Sequence, residues 1–172
     1  MNHLVLTVLA ADKAGQVERV AQCVAHHNGN WLDSRMARMA GQFAGILRIA
    51  VPAEAHGALV ADLQALVVHG IRVQVAESGL EHQPDWRPIE LKLTGNDRPG
   101  IVRDITRLLA EQGVNLERLA TDVVPAPMSG EPLFTAEASL AVPLTLPLEA
   151  LQARLESLAG EIMVDLALRG GD

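Results

Sequence analysis

The chain has 172 residues and a net charge of −7; 49% of it is hydrophobic, with one cysteine and four aromatic side chains, Trp31, Trp86, Phe43 and Phe134. This composition excludes a disordered chain, an intrachain disulfide or cysteine-built metal site and base-stacking RNA recognition. The acidic balance disfavours direct DNA contact. No uncharged stretch approaches the ~20 residues of a membrane span, and no basic segment with a long apolar run opens the chain, so a cytoplasmic protein is expected.

Leu4 to Leu9 is apolar and β-prone, a strand expected to be buried on both faces or nearly so. Val17, Val20, Ala21 and Val24 recur at helical spacing and give a helix with one apolar side, ending near Asn28-Gly29. Cys23 falls on that side and reads as a buried rather than a reactive thiol. Residues 31–39 and 42–51 read as two strands around a tight turn at Ala40-Gly41. Leu59, Leu63, Leu66 and Val67 mark a second helix stopped by Gly70, and Ile71, Val73 and Val75 alternate as a half-buried strand. Residues 78–88, with Gly79, Pro84 and Pro88, read as a linker. The same order then returns. Leu91 and Leu93 mark a strand; Ile101, Ile105, Leu108 and Leu109 mark a helix ended by Gly113. Residues 115–124 and 133–142 are paired strands around a proline-rich loop, 125–132. Leu148, Leu151, Leu155 and Leu158 give a helix, and Ile162, Val164, Leu166 and Leu168 a last strand.

The repeat is visible residue by residue. Asp12-Lys13-Ala14-Gly15 has the spacing of Asp97-Arg98-Pro99-Gly100, 85 positions on, and Leu6, Val17 and Asn30 match Leu91, Val102 and Asn115 at that offset. Later the offset is 91, with Val51-Pro52 matching Val142-Pro143 and Ile71, Val73 matching Ile162, Val164. One unit of roughly 80 residues therefore occurs twice. Each βαββαβ unit predicts an α+β, ferredoxin-like domain: a four-stranded antiparallel sheet with two helices on one face. The domains are expected at 1–77 and 89–172. Residues 1–77 carry six basic and six acidic side chains; residues 88–172 carry seven and thirteen.

Both turns close a strand and open a helix. Pro99 suits the first helical position, Gly100 lets another group approach the backbone, and the free N–H groups and helix dipole favour a carboxylate or another anion. Asp97 or the Asn115 side-chain oxygen offers an acceptor for an ammonium group. None of the six histidines stands at a ligand spacing with Cys, Asp or Glu, so no metal site and no cofactor are expected. Arg98 and Asn115 loosely meet the needs of a small acylphosphatase, but Lys13 replaces Arg98 in the first copy and the loop has too few glycines.

Asp97-Arg98-Pro99-Gly100 after a strand, Ile101-Val102 opening a helix and Gly113-Val114-Asn115-Leu116 entering the next strand resemble an ACT domain. Two such units without an enzyme domain resemble the glycine cleavage system transcriptional repressor family. The first unit departs from the motif at Lys13-Ala14 and at Asn28-Gly29 before Asn30. The resemblance implies a non-enzymatic, amino-acid-responsive regulator that binds a small amino acid, glycine among the candidates, at domain interfaces, often across a homo-oligomer. It implies Asp97, Arg98, Gly100 and Asn115 as ligand residues, with Asp12, Gly15 and Asn30 as their first-unit counterparts, and a protein partner such as a DNA-binding transcription factor. The alternative is a regulatory subunit of an amino-acid or one-carbon metabolic enzyme.

Overall fold

The computed structural model describes residues 1–79 and 85–170. The chain divides into two compact units, the boundary falling between residues 79 and 85. The first contains β1 (Asn2–Ala11), α1 (Gln16–His26), β2 (Asn30–Met39), β3 (Gln42–Val51), α2 (His56–Ala65) and β4 (Ile71–Glu77). The second contains β5 (Trp86–Asn96), α3 (Ile101–Glu111), β6 (Asn115–Pro125), β7 (Pro132–Pro143), α4 (Leu148–Ile162) and β8 (Val164–Gly170). The strand orders are β2-β3-β1-β4 and β6-β7-β5-β8, antiparallel throughout. This is the ferredoxin-like arrangement in both halves.

Each unit has its own aliphatic core. Leu4, Leu6 and Val8 of β1 and Leu47 and Ile49 of β3 pack under Val20 and Val24 of α1 and Leu59 and Leu63 of α2. In the second, Ile89, Leu91 and Leu93 pack with Ile105, Leu109, Leu151 and Leu155. A leucine or isoleucine buried this completely contributes about 1.5–3 kcal/mol. All these side chains lie on the helix-covered side of their sheet, because alternate strand residues point to opposite faces.

Six expectations need correction. β1 is not buried on both faces: Leu4, Leu6 and Val8 are buried, while Thr7 is exposed and Leu9 is 43% exposed. The helices cover one side only. On α1 the buried face is Gln16, Val20 and Val24, and Val17 is exposed, because the helix starts one position after Gly15 and turns Val17 outward. Val67 follows α2 in a short 3₁₀ turn and is likewise exposed. Ile162 belongs to α4, and the strand begins at Val164 after Met163 ends the helix at φ 57°. The hairpin loop is shorter than 125–132, since Pro125 and Pro132 face each other as the last pair of the β6–β7 ladder. Of residues 78–88, the last three belong to β5, while 80–84 lie outside the described residues. Pro88 fits because, among the described residues, β8 pairs with β5 only from Ile89 onward, so no second ladder asks for its missing N–H.

The ladders also correct the offsets. Ala10 pairs with Ile71 and Gly95 with Val164, so the counterpart of Ile71 is Val164 rather than Ile162. β3 and β7 keep the offset of 91, since Ala11 pairs with Gln42 and Asn96 with Leu133. Both units carry a register shift at the same place, between Trp31 and Asp33 and between Leu116 and Arg118.

Candidate functional site

The two turns share one backbone geometry. Gly15 and Gly100 are the N-caps of α1 and α3, at φ 90° and 94°. A residue with a Cβ is strained there, which is why both copies hold glycine. Because Gly100 is left-handed, the helix cannot include it. Pro99 therefore precedes the N-cap and does not occupy the first helical position. The first intrahelical bonds run from Arg19 N–H to the Gly15 carbonyl (3.1 Å) and from Asp104 N–H to the Gly100 carbonyl (2.9 Å). The N–H groups of Gln16, Val17 and Glu18, and of Ile101, Val102 and Arg103, precede those bonds and have no partner within the helix. No side chain caps either helix. Each turn is also tied to the tip of its hairpin: Asp12 N–H donates to the Gly41 carbonyl (3.0 Å), Asp97 N–H to the Pro132 carbonyl (3.1 Å).

The side chains differ. In the first unit the Arg38 guanidinium reaches Asp12 at 3.0 Å. None of the ion pairs among the described residues involves Asp97. Instead Arg98 lies 3.6 Å and Arg103 3.0 Å from Asp104, in the first turn of α3. The hydrogen bond from Arg103 chiefly holds the Asp104 carboxyl below the usual carboxylate range; partial desolvation opposes it, and the charges of Arg103 and Arg98 add to it. Arg103 also folds back over the turn: a Cβ on Gly100 would stand 3.0 Å from its guanidinium, whereas one on Gly15 would meet nothing within 4 Å. Sequence reasoning missed Arg38, Arg103 and Asp104. The last two were legible as a basic–acidic pair inside the first turn, where an acidic side chain complements the dipole.

Asn30 and Asn115 stand elsewhere. Asn115 opens β6 and pairs with Ala141, while the turn follows Asn96, which pairs with Leu133. Ala141 and Leu133 are eight residues apart on β7, on the order of 25 Å. Asn30, opposite Ala50, is equally remote from the Gln42 end beside Asp12. Within one unit the structure therefore brings Asp97, Arg98 and Gly100 together, and Asp12 with Gly15, but not with the asparagines. Helices α3 and α1 run between the two ends, which the spacing in sequence does not reveal. Asp97, Arg98 and both asparagines are exposed.

Two depressions in the first unit are lined by residues outside the turn itself. One of about 700 Å³ runs along α1 and α2 beside Arg19, Cys23, His26, Asp62 and Leu66. Cys23 is half-buried rather than buried, and desolvation, with the nearby Asp62 charge, pushes its thiol upward. That is the opposite of nucleophile activation. His27 Nε2 lies 2.7 Å from Asp62. No group of three or more His, Cys, Asp or Glu side chains among the described residues is placed to hold a metal ion. No described helix is long and apolar enough to cross a membrane.

Sequence models of the ACT domain match residues 2–79 and 85–164. The chain belongs to the ACT domain family. It consists of two ACT domains in tandem, together spanning nearly all of the sequence. Comparison with curated proteins gives no match. Among solved structures, a protein of unknown function from Galdieria sulphuraria is 28% identical over 99% of both chains, with a TM-score of 0.89. A protein provisionally described as a glycine cleavage system transcriptional repressor is 21% identical over 98% of this chain and 96% of its own, with a TM-score of 0.72. The latter likeness is one of fold.

Proposed function

We propose that this tandem ACT protein is a non-enzymatic, cytoplasmic regulator that senses a small amino acid and acts through a protein partner. The observation that carries the reading is the duplicated turn: a left-handed glycine, an uncapped helix N-terminus and an acidic residue beside it, built twice. Three free N–H groups and the helix dipole receive a carboxylate, and Asp97, without an ion pair among the described residues, supplies an acceptor for an ammonium group. Asn115 cannot reach the same ligand from within its own unit. In this reading Asn115 of a second copy completes the site, and the protein is a homo-oligomer. The likeness to a provisional glycine cleavage repressor supports glycine as the first ligand to try, and a DNA-binding transcription factor as the partner.

A thermal-shift screen against the twenty amino acids tests this. A ligand at 100 times its dissociation constant adds about 2.7 kcal/mol of stability. One or a few amino acids are expected to raise the melting temperature, and Asn115→Ala is expected to remove the rise. A flat screen, or a rise untouched by both Asn115→Ala and Asp97→Ala, would sink the sensor.

A further inference from the structure

The two domains have the same outer sheet face, the side away from the helices, and fill it with opposite chemistry. The ladders give the counterparts. Val5, Thr7 and Leu9 of β1 correspond to Glu90, Lys92 and Thr94 of β5. Ala44, Ile46 and Arg48 of β3 correspond to Thr135, Glu137 and Ser139 of β7. Arg35 and Ala37 of β2 correspond to Ala120 and Asp122 of β6. Arg72 of β4 corresponds to Asp165 of β8.

The second domain is an internal control for solvation. At the centre of its face stand Glu90, Lys92 and Glu137, with Lys92 and Glu137 in an ion pair at 3.5 Å. The first domain puts Val5, Thr7 and Ile46 at the matching places, with Leu9, Ala44 and Ala37 on the same face where the second has Thr94, Thr135 and Asp122, and Ile46 is 53% exposed. Scattered exposed apolar residues need no explanation, but a contiguous patch does. Here Leu9, Ala44 and Ala37 lie side by side across the two ladders, Ile46 follows Ala44 on the same face of β3 between Thr7 and Arg35, and Val5, opposite Arg48, is diagonal to Ile46. The patch is ringed by cations. Of the six basic side chains in residues 1–77, Arg35, Arg48 and Arg72 stand on this face, with Asp33 as the one acidic residue among them. Asp33 pairs with Arg35 at 3.3 Å, and neither Arg48 nor Arg72 has an ion-pair partner among the described residues.

We propose that the outer sheet face of the first ACT domain docks a protein partner that presents an apolar centre flanked by carboxylates. Apolar contact at Ile46 and Leu9 supplies affinity, and Arg48 and Arg72 supply orientation and selection by charge. The three guanidiniums count against a second copy of the same face, which would set like charges together. The inference rests on the reading that the protein acts through a partner, and it says where.

The test borrows the second domain's residues, which the same fold already tolerates at those places. Full-length wild-type protein, Ile46→Glu and Arg72→Asp are immobilised, exposed to native extract from the source organism, and the retained protein is identified. Its affinity for each form is then measured by calorimetry with both components purified, at low and high salt. Circular dichroism checks folding. The expected result is a partner lost from Ile46→Glu by on the order of thirtyfold, as for a central anchor residue. A loss of roughly tenfold is expected for Arg72→Asp, together with binding that weakens as salt rises. A partner retained equally by all three forms overturns the docking face and leaves the regulator reading standing. If no protein is retained by any form, both fall. A wild-type homodimer that Ile46→Glu dissolves in sedimentation overturns the proposal in favour of self-association.

Discussion

The two turns begin from one backbone and end in different electrostatics. In the first domain Asp12 is held by Arg38, so its carboxylate is already engaged. In the second, position 123 faces Phe134 where Arg38 faces Phe43, and it is Val123, so no cation answers Asp97 from β6. The arginines are instead gathered around Asp104, whose counterpart 85 positions earlier is Arg19. A duplicated backbone thus fixes where an anion could sit, while single side chains decide whether the acidic neighbour is free to take part. The pairing with Arg38 makes the first turn the weaker candidate for a ligand, and the second the stronger.

That contrast can be broken or sharpened. The largest effects come from the separate cores. Leu6→Ala and Leu91→Ala, counterparts at fully buried positions, should each cost about 2–5 kcal/mol, read by urea denaturation; a cost below that range in either would mean the site relaxes freely. Next are the caps. Gly15→Ala and Gly100→Ala should each cost roughly 1–2 kcal/mol for the left-handed backbone. Gly100→Ala should cost the more of the two, because its Cβ meets Arg103. Equal costs would show that the Arg103 side chain moves aside freely.

Acid separates the domains further. The Asp104 carboxyl is held below its ordinary value in the folded protein, so it contributes stability that is full above the unfolded pKa and is lost as pH falls through the folded one. Wild type should therefore lose stability below about pH 4, and Asp104→Asn should lack that component of the loss. Identical acid limbs would remove Asp104 from the account. The smallest effect belongs to Arg38→Ala. The pair it breaks is exposed on the arginine side, so about 0–1 kcal/mol is at stake. Its use is as a probe: if engagement by Arg38 is what silences the first turn, the variant gains a second amino-acid binding event in calorimetry.

Much of the fold was legible because the periodicities are clean. Leu59 and Leu63, Ile105 and Leu109, and Leu151 and Leu155 fall on buried helix faces, and the two-copy pattern fixed the topology. The failures have physical causes. β1 is apolar on both sides, and periodicity cannot distinguish a strand covered twice from one whose outer face is left open. Ile162 alternates with the strand that follows, but the helix extends through it. At the site, the sequence placed Gly15 and Gly100 in turns that open helices, but the left-handed backbone that requires glycine there is visible only in the structure. The separation of Asn115 from them within one unit was not legible, because a helix of 11 residues carries the chain to the other end of the sheet before Asn115 is reached.

The central strand of each sheet has a consequence for synthesis. β1 is made first yet needs two neighbours, and its pairing with β4 joins Leu4 to Glu77, more than 70 residues later. At 5–20 residues per second, a ribosome leaves that edge open for roughly 4–15 s. During that time β3, complete by residue 51, can cover one edge of a strand with Leu4, Leu6 and Val8 on one side and Val5 and Leu9 on the other, but the edge that β4 fills has no partner. β5 waits longer still, since Ile89 pairs with Gly170, but its outward residues include Glu90 and Lys92 where β1 has Val5 and Thr7. The nascent first domain is therefore the more exposed of the two to aggregation and chaperone capture, and slowing translation between residues 51 and 77 should lengthen that exposure.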